Sequence, residues 1–272
     1  MTEIRQIGYK DQSLIESIKK VFRKRELITS FVKRDLKVQY AQTTLGLLWM
    51  VFQPFIAIAV YTIFFNKFIE LDTGQIPYPL FVFSGYIFWQ FFTFAFSNSG
   101  LALINNQNLI SKISFPKLIP TISKSFVGLT GMIINLILLF GLFIYYGLAP
   151  TIFSLILPLL VFLILITALA GGIWLSALTY KSRDLHHAIP ILLNYGVWLT
   201  PVFYPVTIIP ESFKFIVFLN PVAGIIEWFR WSLFGGIIPE INYFYGLIPI
   251  FVFLITGLWY FNKIENKITD TL

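Results

Sequence analysis

Two long stretches of this chain carry no formally charged side chain. No Asp, Glu, Lys or Arg occurs between Asp72 and Lys112, and none occurs from Ser125 to Tyr180. A helix of about 20 apolar residues crosses a hydrocarbon core about 30 Å thick, so the second stretch is long enough for two crossings. With 57% hydrophobic residues and a mean hydropathy of +0.78, the pattern predicts a protein that crosses a membrane several times.

Six apolar segments are candidate membrane spans, and their apolar residues are contiguous rather than alternating. Contiguous runs predict helices, because barrel strands alternate apolar and polar residues and lipid offers no partner to unpaired backbone groups. A tight turn at 145–150, rich in Tyr, Gly and Pro, makes spans three and four a hairpin. The predicted fold class is an all-α membrane protein with six transmembrane helices, at 45–66, 80–101, 126–146, 152–180, 188–205 and 243–262.

The distribution of Lys and Arg predicts the orientation, because these residues concentrate in cytoplasmic loops. Six spans with both termini in the cytoplasm place 17 of the 20 Lys and Arg residues inside. A seventh span through 215–238 would bury Glu227 and Arg230, at roughly 2.5–3.5 kcal/mol each. We therefore expect residues 211–240 to form two short re-entrant helices on the outer face, split at Asn220-Pro221. Glu227 and Arg230 would then pair on one helix face.

Residues 1–44 are a basic segment that precedes the first span. They carry ten Lys and Arg residues and no long apolar run, which predicts no cleavable signal peptide. Apolar residues at helical spacing predict an amphipathic helix that lies in the plane of an anionic membrane surface. The segment is either a topology anchor alone, or Arg34, Lys37 and Tyr40 attract the acidic headgroup of a lipid-linked molecule.

A second cytoplasmic element is predicted at 105–121, between spans two and three. It is longer than a hairpin requires, and its apolar residues are rimmed by basic ones. Such an element either packs on the membrane surface or docks into another protein, and the basic rim favours docking. The docking candidates are Asn108, Lys112, Phe115, Pro116 and Lys117.

The side chains that enzymes use for chemistry are scarce in this sequence. The chain has no cysteine, and its two histidines, His186 and His187, are neighbours that cannot share a helix face. We therefore predict no metal site, no catalytic residue and no cofactor held by this chain. The net charge of +7 arises from basic residues beside the spans, which favours membrane lipids over nucleic acid as partners.

Short motifs occur in order along nearly the whole chain. They are RDLKVQY at 34–40, TLG at 44–46 with Trp49 and Pro54, NLI at 108–110, FPK at 115–117 with Pro120, RDL at 183–185, TPVFYP at 200–205 with Pro210, and LNP at 219–221 with Arg230. As a set they resemble the ABC-2-type polysaccharide exporter permeases, the membrane subunits that export lipid-linked O-antigen or teichoic acid. Gln39 stands where a basic residue is common in that family.

The resemblance implies a homodimer in the bacterial cytoplasmic membrane that works with two copies of a separate ATPase, which binds ATP and Mg. It makes 1–44 an interface segment, 45–272 the transmembrane domain, 105–121 the coupling element and 211–240 the outer gate. The gate residues would be Asn220, Pro221, Glu227 and Arg230. No Gly in the chain is followed by Lys, so the phosphate loop G-x-x-x-x-G-K-[ST] is absent, as a permease with a separate ATPase requires.

Aromatic side chains are the candidates for a sugar path, because the apolar faces of sugars stack on them. The alternative is that they form the interfacial belts common to membrane proteins. The resemblance places spans one and five at the pore, which favours Trp49, Tyr195 and Trp198 within this set. The candidates are Trp49, Tyr61, Trp89, Tyr195, Trp198 and Tyr204.

There are three alternatives to a polysaccharide exporter permease. A drug or small-lipid exporter permease of the same superfamily remains the main alternative, since sequence does not report the width of a lumen. An ion-coupled secondary transporter normally has ionisable residues within its spans, and the predicted spans have none. A membrane-embedded transferase would need a catalytic constellation that the sequence does not show.

Overall fold

The computed structural model describes residues 14–40, 46–179, 182 and 184–271, without the side chains of 40, 47 and 266–271. Residues 44, 45 and 183, which belong to the sequence motifs, lie outside the described part. The regular structure of the described residues is entirely helical. The α-helices are α1 Leu14–Arg23, α2 Arg25–Tyr40, α3 Trp49–Tyr61, α4 Tyr78–Gly100, α5 Ala102–Asn105, α6 Gln107–Ile110, α7 Leu118–Tyr145, α8 Leu157–Thr179, α9 Leu185–Gly196, α10 Lys214–Leu219, α11 Pro221–Phe234 and α12 Leu247–Thr271.

The turn between α7 and α8 defines one end of the bundle, which we call the hairpin end. α7 ends at Tyr145, and Gly147, whose φ of 65° favours glycine, turns the chain. Thr151 then caps a 3₁₀ turn, Ile152–Ile156, that leads into α8. The opposite end, which we call the basic end, carries α1 and α2, where the ring of Phe31 packs against Phe115 just before α7 begins.

Within the described residues, the chain passes between these two ends six times. Five passes are long apolar helices: Trp49–Phe68, Tyr78–Gly100, Leu118–Tyr145, Ile152–Thr179 and Ile241–Glu265. Their lengths, from 20 to 28 residues, suffice to cross a bilayer. The prediction of an all-α membrane protein is confirmed.

The fifth pass differs from the predicted helix at 188–205. Helix α9 and one 3₁₀ turn end at Leu199, which gives about 24 Å of helix. The helix stops because Thr200 precedes a proline and is extended, with φ −115° and ψ 130°. Turns and bends at 200–204 complete the pass, and the hydroxyl of Tyr78 donates to the carbonyl of Phe203 at 2.8 Å at the hairpin end.

Helices α10 and α11 form a bent pair rather than a straight span. The residues Glu211–Leu219 and Pro221–Phe234 meet at an angle of 97°. The side chain of Asn220 caps α11 by accepting from the backbone N–H of Val222 at 3.0 Å. The chain leaves the hairpin end in α10 and returns to it in α11. There the N–H of Thr151 donates to the carbonyl of Leu233 at 3.0 Å. The predicted break at Asn220-Pro221 is therefore present, and the pair has the shape of a re-entrant loop.

Helix α4 lies at the centre of the bundle, between α7, α8 and α11. It approaches α8 closely because the stripe Ala168, Gly172 and Ser176 is buried against it. Across this contact the hydroxyl of Thr179 in α8 donates to the backbone carbonyl of Gly100 at the end of α4, at 2.7 Å. The stripe thus serves packing within the chain.

Gly172→Ala should destabilise the contact between α4 and α8. A Cβ at Gly172 would lie 2.7 Å from the Cβ of Ser99, which has no flexible end to move away. We expect a loss of about 1–3 kcal/mol, typical of overpacking, measured as a lower midpoint of thermal unfolding in detergent. Gly141→Ala is the matched control, because a Cβ there meets nothing within 4 Å. Equal midpoints for the two variants would show that the helices are not in close contact.

Candidate functional site

The element between α4 and α7 is folded against the basic end rather than projecting from it. Phe115 is buried beside Phe31, with ring centroids 5.6 Å apart. Lys117 is also buried, and its ammonium donates to the carbonyl of Ile110 at 3.3 Å. The backbone N–H of Lys117 donates to the carboxylate of Glu265 in α12 at 2.8 Å. The expectation that Phe115 and Lys117 face outward is therefore wrong.

The burial of Lys117 has an electrostatic consequence. Removal from water lowers the pKa of its ammonium, and the nearby carboxylate of Glu265 opposes that shift. Its charge is thus held inside a small polar cluster that joins α7 to α12. We assign Phe115 and Lys117 to the support of the element, not to its surface.

The exposed part of this element is its tip. Asn108 and Lys112 are exposed, Pro116 is half-buried, and Ile113 leaves 54% of its surface accessible. An exposed isoleucine beside a lysine offers a partner protein a small apolar contact with a basic rim. Sequence reasoning named the polar members and missed Ile113, because the pattern alone does not show which apolar residues fold inward.

Arg34 is engaged within the chain. Its guanidinium donates to the carboxylate of Asp35 at 2.7 Å and to the side-chain oxygen of Asn106 at 2.7 Å, and it lies 4.5 Å from the centre of the Phe31 ring. Lys124 also pairs with Asp35 at 2.8 Å. Arg34 therefore ties α2 to the coupling element, while Lys37 stays exposed. Tyr40 ends α2, and its side chain lies outside the described part.

The candidate path aromatics separate into two groups. Trp49, Tyr195 and Trp198 are exposed, with 45%, 70% and 52% of their surfaces accessible. Trp49 lies in α3, Tyr195 in α9 and Trp198 in the 3₁₀ turn that follows α9, and both helices present exposed faces along much of their length. The three residues ranked highest from the sequence are therefore on open surfaces of the chain.

The other three path candidates pack within the chain. The ring of Tyr61 stacks on Phe203 with centroids 3.9 Å apart. The hydroxyl of Tyr204 donates to the carbonyl of Trp198 at 2.6 Å. Trp89 is buried in the core beside Phe92, which favours packing over a place on a path.

A polar cavity lies between α3, α4 and α7, and no sequence argument above identified it. Its volume is about 270 Å³. Four amide side chains line it, those of Gln39, Gln53, Gln90 and Asn135, together with Tyr86. Neutral amides inside otherwise apolar spans were the available signal, because polar side chains in spans normally face a partner or a cavity.

Arg230 forms the densest polar contact near the hairpin end. Its guanidinium donates to the carbonyls of Pro201 at 2.6 Å and Val202 at 2.7 Å, and to the carboxylate of Glu227 at 2.8 Å. It also lies 3.7 Å from the centre of the Phe81 ring. The predicted pair of Glu227 and Arg230 is present, and it joins α11 to α4 and to the end of the fifth pass.

Replacing Arg230 by Ala should destabilise the fold, because Glu227 and two buried carbonyls would lose their partner. We expect a cost of about 3–5 kcal/mol, measured as a lower unfolding midpoint and faster proteolysis at 200–205. Lys214→Ala removes an ion pair with the exposed Glu211 and should change little. Similar midpoints for Arg230→Ala and the parent would contradict the structural role.

Comparison with known proteins finds one family model and several transport proteins that are similar to this chain. The family model described as ABC-2 type transporter matches residues 26–234. The O-antigen export system permease protein RfbA of Myxococcus xanthus is 28% identical over 244 residues, covering 89% of this chain and 93% of its own length. RfbA of Klebsiella pneumoniae is 29% identical over 253 residues, covering 91% and 95%. The polysialic acid transport protein KpsM of Escherichia coli is 21% identical over 225 residues, covering 80% and 87%. Because the family model matches most of the sequence, this chain belongs to the ABC-2 type transporter family of membrane proteins.

Proposed function

We propose that this chain is the permease subunit of an ATP-driven exporter, which moves a lipid-linked polysaccharide of the O-antigen or teichoic acid type across the bacterial cytoplasmic membrane. The observation that carries the proposal is the share of each O-antigen export permease that aligns with this chain. Two O-antigen export permeases align with this chain over 93% and 95% of their own lengths. The similarity thus extends over the spans, the coupling element and the bent pair together, and is not confined to one shared segment.

The energy for export enters from a partner. These 272 residues contain no Gly-Lys pair, so they include no phosphate loop to bind ATP and Mg. Two copies of an ATPase would dock on the basic ends of two permease chains. The docking surface is the exposed tip Asn108, Lys112 and Ile113, and the buried Phe115 and Lys117 hold that tip against α2 and α12.

The exposed faces of α3 and α9 supply the path. Trp49, Tyr195 and Trp198 offer aromatic surfaces on which sugar rings can stack without a requirement for one glycan sequence. A second copy of the chain, placed against these faces, would enclose a lumen between two subunits. The bent pair α10–α11 would close the lumen at the hairpin end, with Asn220, Pro221, Glu227 and Arg230 as its structural elements.

A small-lipid or drug exporter is the second candidate, and one observation favours it. An apolar cavity of about 440 Å³ lies between α4, α8, the bend at Pro221 and α12, and its lining includes Phe92 and Trp174. A cavity of that character fits an acyl chain or an apolar drug. The two functions differ in one measurement, because only a polysaccharide exporter changes the carbohydrate on the cell surface.

The first test is purification of the tagged chain from its native membrane in mild detergent. We expect a P-loop ATPase at about one copy per permease, because the chain has no ATP site of its own. Ile113→Glu should release most of that ATPase, since it places a charge in the apolar contact at the tip. Ile237→Glu is the matched control, because Ile237 is exposed outside the basic end, in the segment that follows α11.

Deletion of the gene supplies the second half of this test. Surface carbohydrate, measured by acid hydrolysis and sugar analysis, should fall to background and return with the unmodified chain. A chain that purifies alone, or a deletion that leaves surface carbohydrate unchanged, would contradict the proposal.

Replacing Arg34 and Lys37 one at a time should distinguish a residue that stabilises the fold from one that binds substrate. Arg34→Gln should lower the unfolding midpoint, because the contacts with Asp35 and Asn106 weaken. Lys37→Gln should leave the midpoint unchanged and weaken binding of a pyrophosphate-linked lipid, because Lys37 is exposed and near the membrane. Equal affinity of Lys37→Gln and the parent for that lipid would reduce Lys37 to a topology determinant.

A further inference from the structure

The polar cavity between α3, α4 and α7 has the size of a small-ligand site. Its volume of about 270 Å³ lies near the lower limit of sites that hold small molecules, about 300–1,000 Å³. The cavity reaches from Gln39, near the end of α2, to Asn135 in the middle of α7. Asn135 lies 17 residues beyond the start of α7 at Leu118, which places it about 25 Å from the basic end. The cavity therefore extends from the basic end into the membrane-spanning region.

Asn135 indicates that the cavity is built for a ligand. Its side chain is only 8% exposed, and its oxygen Oδ1 has no hydrogen-bond partner among the described residues. A buried polar atom of this kind is unfavourable unless something pairs with it, and an apolar side chain of similar shape would serve packing better. The amide is therefore a feature that folding alone does not explain.

The other lining residues define the chemistry of the ligand. Gln53 and Gln90 approach from α3 and α4, and amides both donate and accept hydrogen bonds, as hydroxyl groups require. Trp49 and Tyr86 supply aromatic surface in the same cavity. No charged side chain lines it, which disfavours a cation or a phosphate, and apolar side chains such as Met50, Phe91 and Met132 form the rest of its wall. Neutral amides beside aromatic rings suit a neutral sugar.

We propose that this cavity is a subsite that binds one neutral sugar residue of the exported glycan inside each permease subunit. The inference rests on the proposed function, because it assigns a place to that substrate. Asn135 Oδ1 accepts from a sugar hydroxyl, and Gln53 and Gln90 complete the polar contacts. The subsite lies within a single chain, between its first three spans, and is distinct from the exposed aromatic face of α9.

Two variants test the subsite in independent ways. Asn135→Leu removes the amide and should leave folding intact, because its Oδ1 has no partner to lose. Gly131→Leu fills the cavity, because a Cβ at Gly131 meets nothing within 4 Å and the residue lines the site. The matched controls are Asn98→Leu, whose amide donates to its own helix at the carbonyl of Phe94, and Gly141→Leu, which also meets nothing within 4 Å. Neither control residue lines the cavity.

The binding measurement uses the permease with its ATPase in lipid nanodiscs and four methyl glycosides as probes, those of glucose, galactose, mannose and N-acetylglucosamine. Saturation-transfer NMR should show binding of at least one glycoside to the unmodified protein. Asn135→Leu and Gly131→Leu should reduce that transfer about five- to ten-fold, as expected for loss of a hydrogen bond, and the controls should retain it. No transfer to any glycoside, or equal transfer to all variants, overturns the subsite.

Surface carbohydrate in cells separates failure of the subsite from failure of the proposed function. One outcome is that the unmodified chain and both cavity variants restore surface carbohydrate equally well at equal protein levels. That result would support the export function and reject the subsite. If deletion of the gene leaves surface carbohydrate unchanged, the exporter itself is rejected. A deficit in the cavity variants alone, together with lost glycoside binding, supports the subsite.

Discussion

A hydrocarbon interior provides no water to an unpaired polar group, and most of this structure is a response to that constraint. Long helices satisfy their own backbones, and where the fifth pass leaves helical geometry after Leu199, its free carbonyls need other donors. Arg230 supplies them at Pro201 and Val202, while Glu227 balances its charge. The non-helical end of one pass and the bent pair therefore depend on the same cation.

The elements that sequence predicted well are those set by local composition. Charge-free runs identified five passes, Gly147 and Pro150 identified the hairpin, and Asn220-Pro221 identified the bend. Helical spacing alone identified the pair of Glu227 and Arg230. Each of these features is decided within a few residues of chain. The end of α9 was placed too late because the extended state of Thr200 before Pro201 was overlooked.

The errors at the basic end concern contacts between segments distant in sequence. The sequence predicts an outward surface that includes Phe115 and Lys117, yet α2 and the end of α12 fold over them. It also predicts that Arg34 is available to a headgroup, yet Asn106 lies beside it although 72 residues separate the two. The polar cavity was missed for the same reason, because its four amides, Gln39, Gln53, Gln90 and Asn135, occupy four different helices. No periodicity within one segment reports such convergence.

The position of Arg230 in the chain has a consequence for biosynthesis. Its protein partners outside α11, namely Phe81, Ser84, Pro201 and Val202, all lie N-terminal to it. They are therefore made first, and the carbonyls of the fifth pass emerge from the ribosome before the guanidinium that will satisfy them. When Arg230 is synthesised, the protein groups outside α11 that accept its hydrogen bonds are already present in the chain. Helix α12 follows Arg230 in the chain, and its Glu265 accepts from the backbone N–H of Lys117, so this contact at the basic end forms after the groups around Arg230 have been made.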